Sequence, residues 1–368
     1  MRKIGIVIPV YQEIKDNNEL MALHQATKVL SKYPIIFVTP NLSITLPDGY
    51  EVRRFDPIYF KSTESYSRLL MTTEFYMEFS DFEYILIYQL DAFVFSDRLM
   101  EFCDLNYDYI GAPWDYSAPL TRKMGVRVGN GGLSLRKVSS AIHVTEQRES
   151  ILQSCPMRER AEEYEDMFFA WCGVNADIDF KIPDVRTAMS FSIEHIKTAD
   201  KFVNGQLPFG CHRWYDYGYD VWKPYIESYG YKLEEKQNRI TEDDYRCYSL
   251  LLLIHENLLD YSEKIRLKSY QMNLPKDKHI AIWGYGKDGK CIEKILNLWN
   301  INPIIFDKSI RRPELSEIKD TFIVISSSKY EDKISEELSN MGLIRNIDFI
   351  TTHDFVRPIT EMLWNSEM

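Results

Sequence analysis

The sequence predicts an α/β protein built from two domains, a larger one with a mixed sheet of the Rossmann-related kind and a smaller Rossmann-like one. Short apolar stretches alternate with stretches of helical spacing through the first hundred residues, which is typical of a sheet with covering helices. The length of 368 residues exceeds the usual size of a single core. A strand, a glycine-rich turn and a helix then recur near residue 279. We therefore expect a first domain over 1–240, a helical linker over 241–274 and a second domain over 275–368.

The first half of the chain contains the elements of the larger sheet. Continuous apolar runs predict buried strands over 4–10, 34–38, 51–55 and 84–88. Apolar residues at helical spacing predict helices over 18–30 and 63–79. From Asp108 the sequence becomes rich in Gly, Pro and aromatic residues, and such irregular segments usually form the ligand side of an α/β domain.

The second half contains a charged helical stretch and then a further α/β pattern. The stretch covers 241–272 and is interrupted at Pro275. Strands are predicted over 279–283, 303–306, 321–325 and 349–350, with helices over 290–299 and after Lys329. This pattern predicts the small Rossmann-like domain.

The bulk composition excludes several classes of protein. Hydrophobic residues make up 45% and charged residues 27%, as in globular proteins. A net charge of −11 argues against a nucleic-acid binder, which needs a basic surface. The six scattered cysteines contain no C-x-x-C pair, so we expect reduced thiols in a cytoplasmic protein. No apolar run reaches the length of a transmembrane helix, and the first apolar run is interpreted as a strand rather than a signal peptide.

An acidic residue follows the predicted strand over 84–88. Asp91 would lie at the carboxyl edge of the sheet, where ligands of open α/β folds collect. A carboxylate there can hold Mg²⁺ or Mn²⁺ against a diphosphate leaving group. The plainer alternative is that Asp91 caps a turn.

Glycines follow in the segment Gly129-Asn130-Gly131-Gly132-Leu133-Ser134-Leu135. Glycine permits positive φ and lets backbone amides approach a ligand closely. We interpret the segment as a ligand-binding loop that leads into a strand, with an ordinary tight turn as the alternative.

Two later segments carry groups suited to acid–base or charge chemistry. Glu165 and Asp166 precede an aromatic run, and either carboxylate can serve as a general base toward an acceptor hydroxyl. A solvated helix face is the alternative for such acids. His212 can ligate a metal and Arg213 can contact a diphosphate, although a single histidine is more often a structural residue.

Together, these segments resemble an uncharacterised bacterial family related to the GT-A glycosyltransferases. The resemblance covers residues 1–230 and is carried, in order, by Tyr-Gln-Leu-Asp, Tyr-Ile-Gly-Ala-Pro-Trp, Gly-Asn-Gly-Gly-Leu-Ser-Leu-Arg, Glu-Asp-Met-Phe-Phe and Pro-Phe-Gly-Cys-His. It implies a GT-A-like first domain and a hexosyltransferase that moves a sugar from a nucleotide-sugar donor to a glycan or glycolipid acceptor. Synthesis of bacterial surface polysaccharide is the setting it implies. It is compatible with peripheral association with a membrane and does not fix the oligomeric state.

The resemblance also implies roles for single residues. Asp91 and His212 would hold Mn²⁺ or Mg²⁺, and Asp166, with Glu165 as the second candidate, would be the base of an inverting displacement. Donor-binding roles fall to the following residues: Pro9, Arg68, Gln89, Asp91, Gly131, Gly132 and Arg213. GT-A enzymes generally carry Asp-x-Asp where this chain has Gln89-Leu90-Asp91, and Gln89 adds no charge, so weaker metal binding is expected.

A glycine pattern opens the predicted second domain. Gly284, Gly286 and Gly289 follow a strand and begin a helix, and Asp307 ends the next strand. This context is that of a dinucleotide fingerprint, so NAD(P) or another nucleotide is a candidate ligand. The same glycines also serve helix–strand packing alone, which we favour.

Three classes of function follow from these patterns. A glycosyltransferase accounts for the order of the segments in the first domain. An NAD(P)-dependent oxidoreductase accounts only for the last third of the chain and leaves Asp91 without a role. A non-catalytic sugar- or nucleotide-binding protein is supported by Gln89, because loss of an acid is one way in which such sites lose activity.

Overall fold

A computed structural model describes residues 2–41, 43–114, 119–195, 202–234, 242–307, 314–327 and 330–365. The chain divides into two compact units, the first containing residues 1–116 and 121–240 and the second containing residues 117–120 and 241–368. Within the described ranges, no helix has both the length and the apolarity needed to span a membrane. All six cysteines are buried.

The first unit is organised around a mixed sheet. Its strands, with three short ones outside this sheet, are β1 (Arg2–Pro9), β2 (Ile35–Pro40), β3 (Glu51–Phe55), β4 (Phe82–Tyr88), β5 (Phe93–Val94), β6 (Tyr109–Pro113), β7 (Val128–Lys137), β8 (Ser192–Ile193) and β9 (Gly210–Cys211). The six-stranded sheet has the order β3-β2-β1-β4-β7-β6. β3, β2, β1 and β4 are parallel, whereas β7 is antiparallel to both β4 and β6. The predicted fold class, α/β with a mixed sheet, is confirmed.

Helices cover the sheet and supply much of its core. They are α1 (Asn17–Val29), α2 (Thr63–Leu70), α3 (Thr73–Met77), α4 (Leu99–Asp104), α5 (Pro119–Met124), α6 (Val138–Glu146), α7 (Arg148–Gln153), α8 (Arg158–Glu163), α9 (Glu165–Val174), α10 (Val185–Phe191) and α11 (Tyr219–Ser228). The N-terminus of α1 is capped by Asp16, whose side chain accepts from the amides of Asn18 and Glu19. The apolar face of α1 packs through Leu23 and Ala26 into the cluster that covers β1 and β4.

Two sequence predictions in this unit are wrong in detail. The single helix predicted over 63–79 is two helices, because Thr72 adopts an extended backbone and its hydroxyl caps α3 by accepting from the Phe75 amide. The glycines at 129–132 do not form a loop before a strand but lie inside β7 itself. The segment after Asp108 is accordingly more regular than predicted, since it contains β6 and β7.

The second unit contains a separate parallel sheet. Its strands are β10 (His279–Trp283), β11 (Ile304–Phe306), β12 (Thr321–Ile325) and β13 (Phe349–Thr351), in the order β11-β10-β12-β13. Every neighbouring pair is parallel. Its helices are α12 (Glu242–His255), α13 (Tyr261–Lys268), α14 (Lys287–Leu298), α15 (Leu315–Ile318), α16 (Glu331–Asn340) and α17 (Thr352–Asn365).

The segment 241–274, predicted to be a helical linker, forms α12, α13 and a 3-10 turn over Ser269–Asn273. Leu250 and Leu253 of α12 and Leu267 of α13 are buried in one cluster with apolar residues of α14 and α17. These helices therefore contribute to the core of the second unit.

Candidate active site

A cavity of about 450 Å³ lies at the carboxyl edge of the mixed sheet. The chain runs from β1 through β2 to β3 on one side and then returns to β4 on the other side of β1. The gap between the ends of β1 and β4 is therefore a topological switch point, where open α/β sheets bind ligands. Residues that follow these two strands line the cavity together with residues before and within α2: Pro9, Val10, Tyr11, Gln12, Ile14, Glu19, Phe60, Lys61, Ser62, Thr63, Tyr66, Gln89, Leu90 and Asp91.

Three of the predicted donor-binding residues line this cavity and one does not. Pro9 ends β1, and Gln89 and Asp91 follow β4, so all three lie at the switch point. Arg68 lies on α2 with an exposed side chain and does not line the cavity.

A small three-stranded sheet brings three titratable side chains together beside Asp91. β9 pairs antiparallel with β5 and parallel with β8. Asp91 precedes β5, Glu194 follows β8 and His212 follows β9. Because Phe93 and Ile193 are both register partners of Cys211, the three side chains emerge at the same end of this sheet. Asp91 and His212, predicted to act together, are in contact.

The His212 ring lies between two carboxylates. Its Nε2 is 3.1 Å from Asp91 Oδ1 and 3.2 Å from Gln89 Oε1. Its Nδ1 is 3.8 Å from Glu194 Oε1. Burial disfavours the charged imidazolium, but the Asp91 and Glu194 carboxylates outweigh burial and raise the pKa of His212 to about 10. Burial likewise opposes the charged form of Asp91, yet His212 and Arg213 hold the pKa of Asp91 below its usual range.

The residues present are compatible with a divalent cation. Asp91 Oδ1 is buried and lies 3.1 Å from His212 Nε2, so a carboxylate oxygen and an imidazole nitrogen, both ordinary ligands of divalent cations, face one another. Among the described residues, no group of three or more His, Cys, Asp or Glu side chains is arranged to hold a metal ion. A cation here would be held by Asp91 and His212 alone, and the oxygens of a bound diphosphate would complete its shell, as is usual for Mg²⁺.

Two glycines of β7 lie between the His212 ring and the adjacent carboxylates Glu165 and Asp166. A Cβ atom at Gly132 would lie 1.9 Å from His212 Nε2. A Cβ atom at Gly131 would lie 2.5 Å from Glu165 Oε1 and 3.3 Å from the Cβ of Asp166. A side chain at either position would force its neighbour, the Glu165 carboxylate or the His212 ring, to move. The structure therefore uses the predicted glycines 131 and 132 to admit the site side chains and not to form a loop.

Glu165 belongs to a buried ion pair. Its Oε1 is 2.9 Å from Arg136 Nη2, and its Oε2 accepts a hydrogen bond of 2.7 Å from the Ser67 hydroxyl. Arg136 is fully buried and also donates to the hydroxyls of Tyr76 and Ser134, at 2.9 and 3.0 Å. Both oxygens of Glu165 are thus occupied by contacts that join α2, β7 and α9.

Asp166 is the more available carboxylate of the pair. It is partly buried in the first turn of α9. Burial and the neighbouring charges of Glu165 and Glu194 raise the pKa of Asp166 to about 8, although the Met167 amide and Arg136 act in the opposite direction. A carboxylate with a pKa near the working pH is suited to act as a general base.

Arg213 extends the positive charge beside this site. Its backbone has φ 48°, which is unusual for a residue other than glycine. Its guanidinium lies over the ring of Tyr217, 4.5 Å from the centroid, and Nη2 is 3.2 Å from Asp216 Oδ2. It is close enough to Asp91 and Glu194 to lower the pKa of both carboxyls.

The glycine pattern of the second unit follows β10 and leads into α14, as the sequence predicts. A Cβ atom at Gly289 would lie 2.3 Å from the carbonyl oxygen of Gly284, and one at Gly284 would lie 2.7 Å from that of Ser326. The Asp307 carboxylate accepts a hydrogen bond of 2.8 Å from the Tyr285 amide. Gly284 and Gly289 therefore serve close packing, whereas Gly286 has open space around it. Nucleotide binding by this unit stays a prediction.

Two residues of the site have no signal in the sequence that marks them. Glu194 lies more than a hundred residues from Asp91 and its neighbours are unremarkable, so only the pairing of β8 with β9 reveals it. The sequence predicts Tyr66 only as part of a helix, yet the residue lines the cavity, and its buried hydroxyl has no hydrogen-bond partner among the described residues.

A family model matches the part of the chain that contains this site. Residues 49–212 match the model of a family described as a protein of unknown function (DUF5672), and this range contains Asp91, Asp166 and His212. A search of curated proteins found no match.

Two solved structures are similar to part of the chain. One is a glycosyltransferase involved in the glycosylation of the major capsid of PBCV-1, with 14% identity, a TM-score of 0.35, and 57% of this chain and 93% of that chain covered. Another is the galactosyltransferase LgtC in complex with donor and acceptor sugar analogs, with 14% identity, a TM-score of 0.38, and 62% of this chain and 98% of that chain covered.

Proposed function

We propose that the first unit is a GT-A-type glycosyltransferase that moves a sugar from a nucleotide-sugar donor to the hydroxyl of a glycan or glycolipid acceptor. The observation that carries the proposal is the arrangement on either side of Gly131 and Gly132. A pair of potential cation ligands, Asp91 and His212, lies on one side, and a carboxyl whose pKa is raised to about 8, Asp166, lies on the other. The resemblance to a family related to GT-A enzymes supports the same function.

The donor would occupy the cavity between the ends of β1 and β4. Its diphosphate would lie toward Asp91, and Arg213 would contribute a fixed positive charge. A bound Mn²⁺ or Mg²⁺, held by Asp91 and His212, would neutralise charge on the departing diphosphate. Gln89 contributes a neutral oxygen only, so affinity for the cation would depend on the donor.

Asp166 would act on the acceptor. Its carboxylate takes the proton of the attacking hydroxyl while the acceptor oxygen bonds to the anomeric carbon. The bond from that carbon to the diphosphate oxygen breaks, and its electron pair leaves with the nucleoside diphosphate. Attack from the face opposite the leaving group inverts the configuration of the anomeric carbon. Surface polysaccharide synthesis in a bacterium is the setting that the family resemblance supports.

Calorimetry or thermal shift with a panel of nucleotides and nucleotide-sugars, with and without Mn²⁺, tests the proposal. NAD(P)H belongs in the panel. We expect Mn²⁺-dependent binding of a nucleotide-sugar by the wild-type protein. Asp91→Ala is expected to remove that dependence and to reduce kcat/KM for sugar transfer by about 10³-fold or more, given the several kcal/mol that such an ion supplies.

Other results would assign a different function. Binding of NAD(P)H alone, unaffected by Asp91→Ala, would place the activity in the second unit and contradict the proposal. Binding of a nucleotide-sugar without transfer to any acceptor and without Mn²⁺ dependence would indicate the non-catalytic binding protein that Gln89 is compatible with.

A further inference from the structure

Glu194 is a buried carboxylate to which the proposed reaction gives no role. It is only 4% exposed and follows directly after β8. Its Oε2 has no hydrogen-bond partner among the residues that the structure describes. A buried carboxylate oxygen without a partner is costly, so its position beside the active site calls for a function.

The Glu194 carboxylate lies beside the His212 ring. Glu194 Oε1 is 3.8 Å from His212 Nδ1, and this Nδ1 is also buried without a hydrogen-bond partner in the described ranges. The opposite ring nitrogen, Nε2, faces Asp91 Oδ1 and Gln89 Oε1. The ring therefore has one nitrogen toward a buried carboxylate and the other toward the oxygens at the edge of the cavity.

The backbone fixes this relation. Ser192 and Ile193 are the parallel register partners of Gly210 and Cys211, so Glu194 and His212 are the next residues along two adjacent strands. The His212 amide donates to the Ile193 carbonyl at 3.0 Å, which continues the pairing beyond the strands. Gly132 closes the other side of the ring, since even a methyl group there would overlap it.

We propose that Glu194 is a positioning residue that accepts a hydrogen bond from the Nδ1–H group of His212 and thereby orients Nε2 toward the donor diphosphate. A cation at Nε2 would take the place of the second ring proton, and a hydrogen bond at Nδ1 keeps the remaining proton on Nδ1, so that Nε2 presents its electron pair to the cation. Carboxylates in this position orient metal-binding histidines and increase their basicity. The inference rests on the proposed function, because it assigns Nε2 to a cation shared with the donor.

Binding of Mn²⁺ together with inorganic pyrophosphate tests the role of Glu194 without any sugar transfer. The EPR signal of free Mn²⁺ measures the affinity for Glu194→Gln, for Asp91→Ala and for the wild-type protein. Glu263→Gln is a matched control, because Glu263 is similarly buried but lies in the second unit. We expect Glu194→Gln to weaken Mn²⁺ binding about tenfold or more while the far-UV circular dichroism is unchanged, and Glu263→Gln to bind as wild type does.

A spectroscopic measurement separates positioning from a structural role. With ¹⁵N-labelled histidine, Mg²⁺ and pyrophosphate, we expect the His212 ring of the wild-type protein to carry its proton on Nδ1 alone. In Glu194→Gln the ring should populate both tautomers. His212→Gln assigns the signals, because its spectrum lacks them.

The outcomes distinguish this inference from the proposed function. Unchanged Mn²⁺ affinity and an unchanged tautomer in Glu194→Gln, with weak binding in Asp91→Ala, would overturn the role of Glu194 and leave the cation site standing. Unchanged affinity in Asp91→Ala would instead contradict the cation site and the inference together.

Discussion

At the scale of single residues, the environment of Asp166 determines what its carboxylate can do. It is partly buried next to a second carboxylate, and both features favour the protonated form. Glu165 cannot take the same role without breaking its contacts with Arg136 and Ser67. The two adjacent acids that the sequence leaves as alternatives therefore differ in the structure, one held by partners and the other available to a substrate.

Asp166→Asn is expected to lower kcat for sugar transfer about 10²- to 10⁴-fold, which is the usual contribution of a general base. The side chain keeps its size, so the calorimetric Kd for the donor should change little. Steady-state kinetics and calorimetry on the same preparation check both values. Full activity in this variant would contradict the role of Asp166.

The pH profile gives an independent check on the same residue. A base is active when deprotonated, so a carboxyl with a pKa of about 8 makes kcat rise with pH up to about 8 and level off above it. Asp166→Asn should lose this limb of the profile. A profile of the wild-type enzyme that is flat between pH 6 and 9 would rule out Asp166 as the titrating group.

The sequence predicts residues of the site where the chemistry is local and misses those that depend on pairing across the fold. Asp91 follows a recognisable strand, and His212 and Asp166 lie in distinctive segments. Glu194 joins them only because β8 pairs with β9. Each of these strands has two residues, too few for a periodic pattern in the sequence to predict them. Arg68 shows the opposite case, since the family resemblance implies a donor contact but the side chain is exposed on α2.

At the scale of elements, β7 is the strand on which the site is assembled. It carries Arg136 toward Glu165, and its glycines leave room for His212 and the acidic pair. The sequence predicts a loop here because glycine permits positive φ and close approach of backbone amides to a ligand. In this strand the gain in close packing around the site outweighs that tendency.

Gly132→Ala is expected to abolish Mn²⁺-dependent donor binding while the protein stays folded. The added methyl group would lie 1.9 Å from His212 Nε2, so the ring must move away from Asp91. Calorimetry with and without Mn²⁺ measures the loss, and circular dichroism monitors the fold. Binding equal to that of the wild-type protein would show that the position of the His212 ring is not required.

Arg136 links β7 to α3 and α9, and its removal is expected to destabilise the first unit. Arg136→Met leaves Glu165 as a buried charge without its partner, and breaking such a pair costs about 3–5 kcal/mol. Urea denaturation measures the free energy of unfolding. Arg158→Met is the matched control, because Arg158 pairs with Glu149 and Glu162 at the surface and such pairs contribute about 1 kcal/mol or less.

One outcome of the urea denaturation would contradict the stabilising role of Arg136. Equal free energies of unfolding for the two variants would mean that Arg136 adds little to stability despite its burial. The double variant Arg136→Met with Glu165→Gln should recover part of the loss, since it removes both charges together.

At the scale of the whole molecule, the chain contains separate hydrophobic cores. The clusters around β1 and β4 and around Trp214 and Trp222 belong to the first unit. Those around β10 and β12 belong to the second unit and include the apolar residues of α12. The charged, helical pattern of 241–274 predicts a linker, whereas Leu250, Leu253 and Leu267 are buried in one cluster with apolar residues of α14 and α17.

Because each unit has its own hydrophobic core, we expect the first unit to bind the donor without the second. The cavity residues, together with Asp91, Asp166 and His212, all lie before residue 240. A protein that ends at Ile240 is therefore expected to fold and to bind the donor in the presence of Mn²⁺ with a Kd within about threefold of the full-length value, a difference of less than 1 kcal/mol.

Circular dichroism and calorimetry on the shortened protein test this division. Loss of donor binding by a folded 1–240 protein would show that the second unit takes part in the transferase site. Retention of binding, combined with binding of NAD(P)H by the full-length protein only, would give the glycines at 284 and 289 a ligand as well as their packing role. Retention without any NAD(P)H binding favours packing alone, because the contacts of both glycines with neighbouring backbone already account for their presence.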